Sequence, residues 1–180
     1  MTRSRRTDKP AIRARRATPK LPRIVVRKPR RGDVHPLATG AVRAFLRALP
    51  PEQIHGLAAV ELRARVDGVG EPFAIYRRED RVIILYSLPP DEWWMGSILP
   101  DIARSLRAAG ATVLRHRPGV SIHWSSSASL AAWLRDEVLA HEVGHHVRNQ
   151  YAARWPRAAR TVDEEAVADL HARRTKRRLG

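Results

Sequence analysis

The chain has no cysteine. Disulfides are thereby excluded, and so is a thiolate metal site; any metal must be held by His, Asp or Glu. Aromatic residues are few, at 6%. Acid is scarce beside base: 18 Asp and Glu face 34 Lys and Arg, a formal net charge of +16. No run of about eighteen apolar residues occurs, so no membrane-spanning helix is expected. The basic N-terminus is followed by no apolar segment, which argues against a secretory signal. These absences fit a reducing compartment and lead us to expect a cytoplasmic protein. No internal repeat is visible.

The positive charge is unevenly spread. Residues 1–36 carry thirteen Lys or Arg against Asp8 and Asp33, and residues 173–180 carry five more with no acid. Between them, residues 37–172 hold sixteen of each sign. A neutral globule between two basic ends is therefore expected: a disordered tail over 1–36, one folded domain over 37–172 and a basic C-terminal tail over 173–180. Five prolines punctuate the first segment, and only Ile24, Val25 and Val26 offer apolar mass there. Its charge would attract nucleic acid without sequence preference, although no aromatic residue interleaves the cations to stack bases.

Within the domain, Val42, Phe45, Leu46 and Leu49 follow helical spacing over 37–49, and Pro50-Pro51 ends that helix. Residues 57–66 alternate as a strand, turned by Asp67-Gly68. Residues 73–78 and 81–88 read as a hairpin about Glu79-Asp80, with Val82–Tyr86 apolar on both faces and so a central strand. Residues 91–110 are expected to be helical, with Pro100 as the point that divides the helix, and Trp93 and Trp94 point to different faces, one into the core. Short strands follow at 112–114 and 120–124 around Pro118-Gly119. The Ser-rich run 125–129 then starts a long helix to about Gln150. Thr161-Val162-Asp163-Glu164 matches a capping box that opens the last helix. The mixture predicts an α+β domain.

The long helix carries the chemistry. His141-Glu142-Val143-Gly144-His145 is an H-E-x-x-H pattern. On a helix the two histidines lie one turn apart on one face, where two neutral imidazoles can close on one metal. Glu142 sits on the neighbouring strip, placed to act as base on a water at that metal. Leu130, Leu134, Val138, His141 and His145 form one stripe, so the histidines continue an apolar face inward. Gly144 costs about 1 kcal/mol of helix propensity against Ala and is explained by close approach of a neighbouring element. His146, about 100° round from His145, faces elsewhere.

A catalytic zinc wants a third protein ligand and one open position. Glu165 is the candidate, because Glu164 is assigned to the cap. Asp169, one turn beyond, is placed to accept a hydrogen bond from a ligating histidine. The competing reading is an acidic first turn complementing the helix dipole, which suits Asp163 and Glu164 better than Asp169.

The two patterns together, His141-Glu142-Val143-Gly144-His145 and Glu165-Ala166-Val167-Ala168-Asp169, resemble those of the gluzincin zinc metallopeptidases, in small forms such as minigluzincins and ImmA/IrrE-type peptidases. The resemblance covers residues 130–172. It implies a zincin-like α+β fold, with a small mixed or antiparallel sheet packed on the H-E-x-x-H helix and a second helix bearing the Glu. By residue it implies Zn2+ held by His141, His145 and Glu165, Glu142 as catalytic base and Asp169 behind a ligand. Tyr151 stands where metzincins have a third His, so that branch is disfavoured. Tyr151, His171 and His123 are candidates for an oxyanion stabiliser. The resemblance implies hydrolysis of a peptide or protein substrate, with residues 120–124 as the strand edge that receives it. The competing expectation is a regulatory or binding protein on the same scaffold, associated with nucleic acid through its basic ends and without peptidase activity.

Overall fold

The computed structural model describes residues 20–66, 72–154 and 163–179. They form a mixed α+β structure with two small sheets. In the first, β1 (Arg23–Val26), β2 (Ala59–Arg63) and β4 (Val82–Tyr86) are parallel, and β3 (Ala74–Arg77) is antiparallel to β4, in the order β1-β2-β4-β3. In the second, β5 (Glu92–Met95), β7 (Gly119–Trp124) and β6 (Ala111–His116) are antiparallel in the order β5-β7-β6. Helices α1 (Thr39–Ala48) and α2 (Pro51–Ile54) link β1 to β2, and α3 (Pro100–Ala108) links β5 to β6.

Strand β4 has the two-sided apolar character that its sequence predicts. Ile83 and Leu85 face the main core with Val42, Leu46, Leu106, Ile122 and Leu130, while Val82 and Ile84 pack on the other side of the sheet with Ala59. The tryptophan pair divides as expected, but for a strand's reason. Residues 92–95 are β5 rather than helix, so alternation buries Trp93 and leaves Trp94 60% exposed. Pro100 stands at the first turn of α3, where its missing N–H costs nothing, and does not split a helix. Trp93 joins Phe73, Trp124 and Trp133 in an aromatic cluster, and the Trp133 indole donates to Ser105 Oγ at 3.0 Å. That cluster fixes the start of the long helix against the second sheet.

Both basic ends are shorter than the charge pattern suggests. Residues 1–19 lie outside the described residues, but Ile24–Val26 forms most of β1, held in parallel register on β2. Asp33 accepts from Ser87 Oγ at 3.0 Å, and Val34 bridges to Leu88, so residues 20–36 belong to the domain. At the other end α6 (Glu164–Leu179) runs through the expected tail, burying Ala172 and Thr175. Its cap is Asp163, whose Oδ1 accepts the backbone N–H groups of Glu165 (3.0 Å) and Ala166 (3.3 Å). Thr161 lies outside the described residues, and Glu164 pairs with Arg148 at 2.5 Å.

The long helix is continuous but not uniform. Ser126 caps α4 (Ser127–Trp133) through its hydroxyl, a π-helical stretch follows over Leu134–Leu139, and α5 (Ala140–Arg154) completes it. A π stretch takes one more residue per turn than an α-helix and so rotates everything after it. The expected stripe from Leu130 to His145 is therefore broken. Leu139, Val143 and His146 face inward, Val138 is half-buried, and His141 and His145 sit on the flank that meets α6.

Candidate metal centre

Three donors converge where α5 meets α6. His141 Nε2 and His145 Nε2 are 3.0 Å apart. Glu165 places Oε2 3.3 Å from the first and Oε1 3.5 Å from the second. In a tetrahedral zinc site with arms of about 2.0–2.1 Å, neighbouring donors stand about 3.3 Å apart. The three edges bracket that value, so the trio fits a tetrahedral ion, and among the described residues it is the group of His and carboxylate side chains able to hold one. The donor chemistry agrees: two nitrogens and one oxygen suit zinc and leave a fourth position open.

The neighbours orient the donors. Asp169 Oδ1 lies 2.9 Å from His141 Nδ1. Accepting that N–H leaves Nε2 bare, with its lone pair toward the trio. Burial, with the His141 ring as the next cause, pushes the His145 pKa down and so favours the neutral form a metal needs. Glu165 itself is exposed, 70% by side chain, so the site is open to solvent on the α6 side.

Gly144 is what lets the two helices meet. A Cβ there would lie 2.7 Å from Ala168 Cα, 3.0 Å from Ala168 O and 3.0 Å from His171 Cβ. The contact fixes α6 at the height that brings Glu165 to His145.

Glu142 is buried beside the trio. Burial pushes its pKa up to about 8, the Glu165 charge adds to the rise, and the Tyr76 backbone N–H opposes it by donating to the carboxylate. Tyr76 is on β3, the sheet edge. The Phe73 carbonyl accepts from the Tyr86 N–H, so alternation turns the N–H groups of Ala74 and Tyr76 away from β4 and toward the helix. Strand β7, by contrast, is paired on both sides, by β5 and β6, so residues 120–124 offer no edge. The free edge at the candidate site is β3.

The remaining sequence candidates have other surroundings. His171 Nδ1 donates to the Ala140 carbonyl at 3.0 Å, and its Nε2 is buried without a hydrogen-bond partner, so it anchors α6 to α5. Tyr151 is exposed and lines a separate cavity that none of the trio lines. His123 on β7 contacts Ser121 Oγ and Glu92 Oε1, each at 3.2 Å. His146 is directed away from the trio: its Nε2 meets the His55 carbonyl and its Nδ1 the Tyr76 hydroxyl, each at 3.0 Å.

Tyr76 is the residue that the sequence did not single out. Its hairpin position was readable, but nothing in a linear pattern announces that a backbone N–H will meet Glu142. Arg148, on α5 beyond His145, likewise takes its place from a partner in space, pairing with Glu164. Among the described residues no helix is long and apolar enough to cross a membrane. Compared with known proteins, the chain matches no family model, no curated protein and no solved structure.

Proposed function

We propose that this protein is a zinc-dependent peptidase of the gluzincin type, with a zincin-like fold and a cytoplasmic location, and that it hydrolyses a peptide or protein substrate. The observation that carries the reading is the convergence of His141, His145 and Glu165 on tetrahedral edge lengths beside a buried Glu142. A zinc ion held by those three side chains supplies Lewis acidity, which makes water acidic near neutral pH and draws electron density from a carbonyl.

The rest of the chemistry belongs to the chain. Glu142 stands one residue from a ligand and takes the proton that water must lose. Its buried position favours the protonated form, so it holds that proton well and can pass it to the leaving nitrogen. The Tyr76 N–H keeps the carboxylate in place through both transfers. Asp169 holds the His141 ring in the tautomer that leaves Nε2 free. A substrate strand adds to the edge of β3 through the main-chain groups that Glu142 does not engage, those of Ala74 and the Tyr76 carbonyl, which brings its own carbonyl over the helix.

The test is zinc content and cleavage of a quenched peptide library, on the wild type and on Glu142→Gln. One zinc per chain in both proteins, with cleavage reduced about 10²- to 10⁴-fold in the variant, is the expected result. Cleavage that survives the substitution removes Glu142 as the base. Zinc bound by both with cleavage by neither favours a binding protein on this scaffold.

A further inference from the structure

The opposite flank of α5 borders a cavity of about 1120 Å³, walled also by residues 20–23, by α2 and the loop after it, and by the hairpin turn at Arg81. Its cations are Lys20, Arg23, Arg81 and Arg154, and its one carboxylate is Glu52. Among the described residues none of the four cations is in an ion pair, whereas Arg63, Arg77, Arg104 and Arg135 elsewhere are each paired with an acid.

Arg81 is held in an uncommon way. It has a left-handed backbone (φ 54°), its carbonyl accepts the Ala58 N–H at 2.8 Å, and its guanidinium lies against Gly56, whose own φ of 75° suits a residue without a side chain. Side chains other than glycine adopt that backbone only where the surroundings impose it. The backbone from which the guanidinium reaches the cavity is thus set by the fold. Tyr151 adds an aromatic ring, 61% exposed, on the α5 side of the same cavity. The nineteen residues preceding Lys20 extend the charge along the chain, with seven Lys or Arg against Asp8.

We propose that this cavity binds single-stranded nucleic acid, with phosphates on Arg81, Arg154, Arg23 and Lys20 and a base stacked on Tyr151. Cations beside an exposed ring make a sequence-tolerant site for a single strand. A recess admits bases splayed from one strand and not the closed flank of a duplex. The site is independent of the proposed peptidase reading, since it shares no residue with the metal centre.

The experiment uses the full chain and a fluorescein-labelled oligothymidylate of about twelve nucleotides, a length within the span of known single-strand sites. Anisotropy titrations are run at several salt concentrations, with and without chelator. Arg81→Asn tolerates the left-handed backbone, and combined with Arg154→Ala it is expected to weaken binding at least about tenfold and lower the salt slope by about 1.4, or about 0.7 for Arg154→Ala alone. Tyr151→Ala is expected to weaken binding about tenfold with the slope unchanged. Arg43→Ala with Arg47→Ala, exposed on α1 and outside the cavity, is the control for bulk charge and should leave binding within about twofold of wild type. An equal loss in that control, or no loss in the cavity variants, overturns the proposal. So does equal affinity for a duplex of the same length. Displacement by polyglutamate at matched charge overturns it in favour of an acidic protein partner.

Discussion

His145 places Nε2 3.0 Å from that of His141, beside an exposed carboxylate, while the next residue, His146, is fully buried with both ring nitrogens engaged. The two are chemically identical and adjacent, yet one faces the His141 ring and the exposed Glu165 and the other joins three elements of the fold. Burial lowers the pKa of both. What separates them is what waits at the ring: a bare nitrogen and a carboxylate for His145, a carbonyl and a hydroxyl for His146. An imidazole becomes a candidate ligand where its lone pair is left unclaimed, and a structural post where each nitrogen already has a partner.

The sharpest way to break this contrast is to truncate each ring in turn. His145→Ala should abolish stoichiometric zinc binding, read by metal analysis after dialysis, and change the midpoint of metal-free unfolding little. His146→Ala should do the reverse. It leaves the His55 carbonyl with Gln150 alone and the Tyr76 hydroxyl with Asn149 alone, at a cost of about 1–3 kcal/mol in denaturant unfolding, while zinc still binds well below the melting temperature. Equal zinc loss in both would mean that the faces are not separate.

Gly144→Ala tests the contact that brings α6 to the metal flank. The added methyl meets backbone, which cannot swing aside, so a loss of about 1–3 kcal/mol together with weakened zinc binding is expected from parallel unfolding and metal titrations. Asp169→Asn leaves the contact but removes the charge behind His141. Zinc affinity should fall about 10- to 100-fold in competition with a chromophoric chelator, with stability nearly unchanged.

The last test is in pH. In metal-free protein the raised pKa of Glu142 stabilises the fold fully below about pH 4.5, and that stabilisation is lost as pH rises through about 8. The lowered pKa values of His146 and His171 act oppositely, losing stability as pH falls below 6.5. The difference between wild type and Glu142→Gln across that range isolates the carboxyl. A gap independent of pH would place its titration elsewhere.

Much of the candidate site was legible because it is local. The spacing of His141, Glu142 and His145, and of Glu165 and Asp169, needs only helical periodicity, and Gly144 announced a close neighbour by its lack of a side chain. The Glu79-Asp80 hairpin was legible for the same reason. What escaped the sequence depends on partners far along the chain. Arg23–Val26 reads as a charged tail until β2, more than thirty residues later, offers it a parallel edge. Glu92–Met95 has a helix's neighbours in sequence and a strand's in space, because β7 claims it. Sheet order, which makes β3 and not β7 the edge, leaves no mark on either segment. The basic end at 173–179 was read by charge alone, while Ala172 and Thr175 were quietly packing it onto the domain.

The π-helical stretch at Leu134–Leu139 has a consequence for insertion and deletion. Removing one residue there would restore ordinary winding without interrupting the rod and would leave every later side chain facing as it does now, because the wider turn is what absorbs that residue. Regular winding with every residue kept would instead swing the later side chains by about 100° and carry the imidazole pair off the flank that meets α6 toward the hydrophobic interior. The extra residue in this segment thus sets the angular phase of the whole second half of the helix.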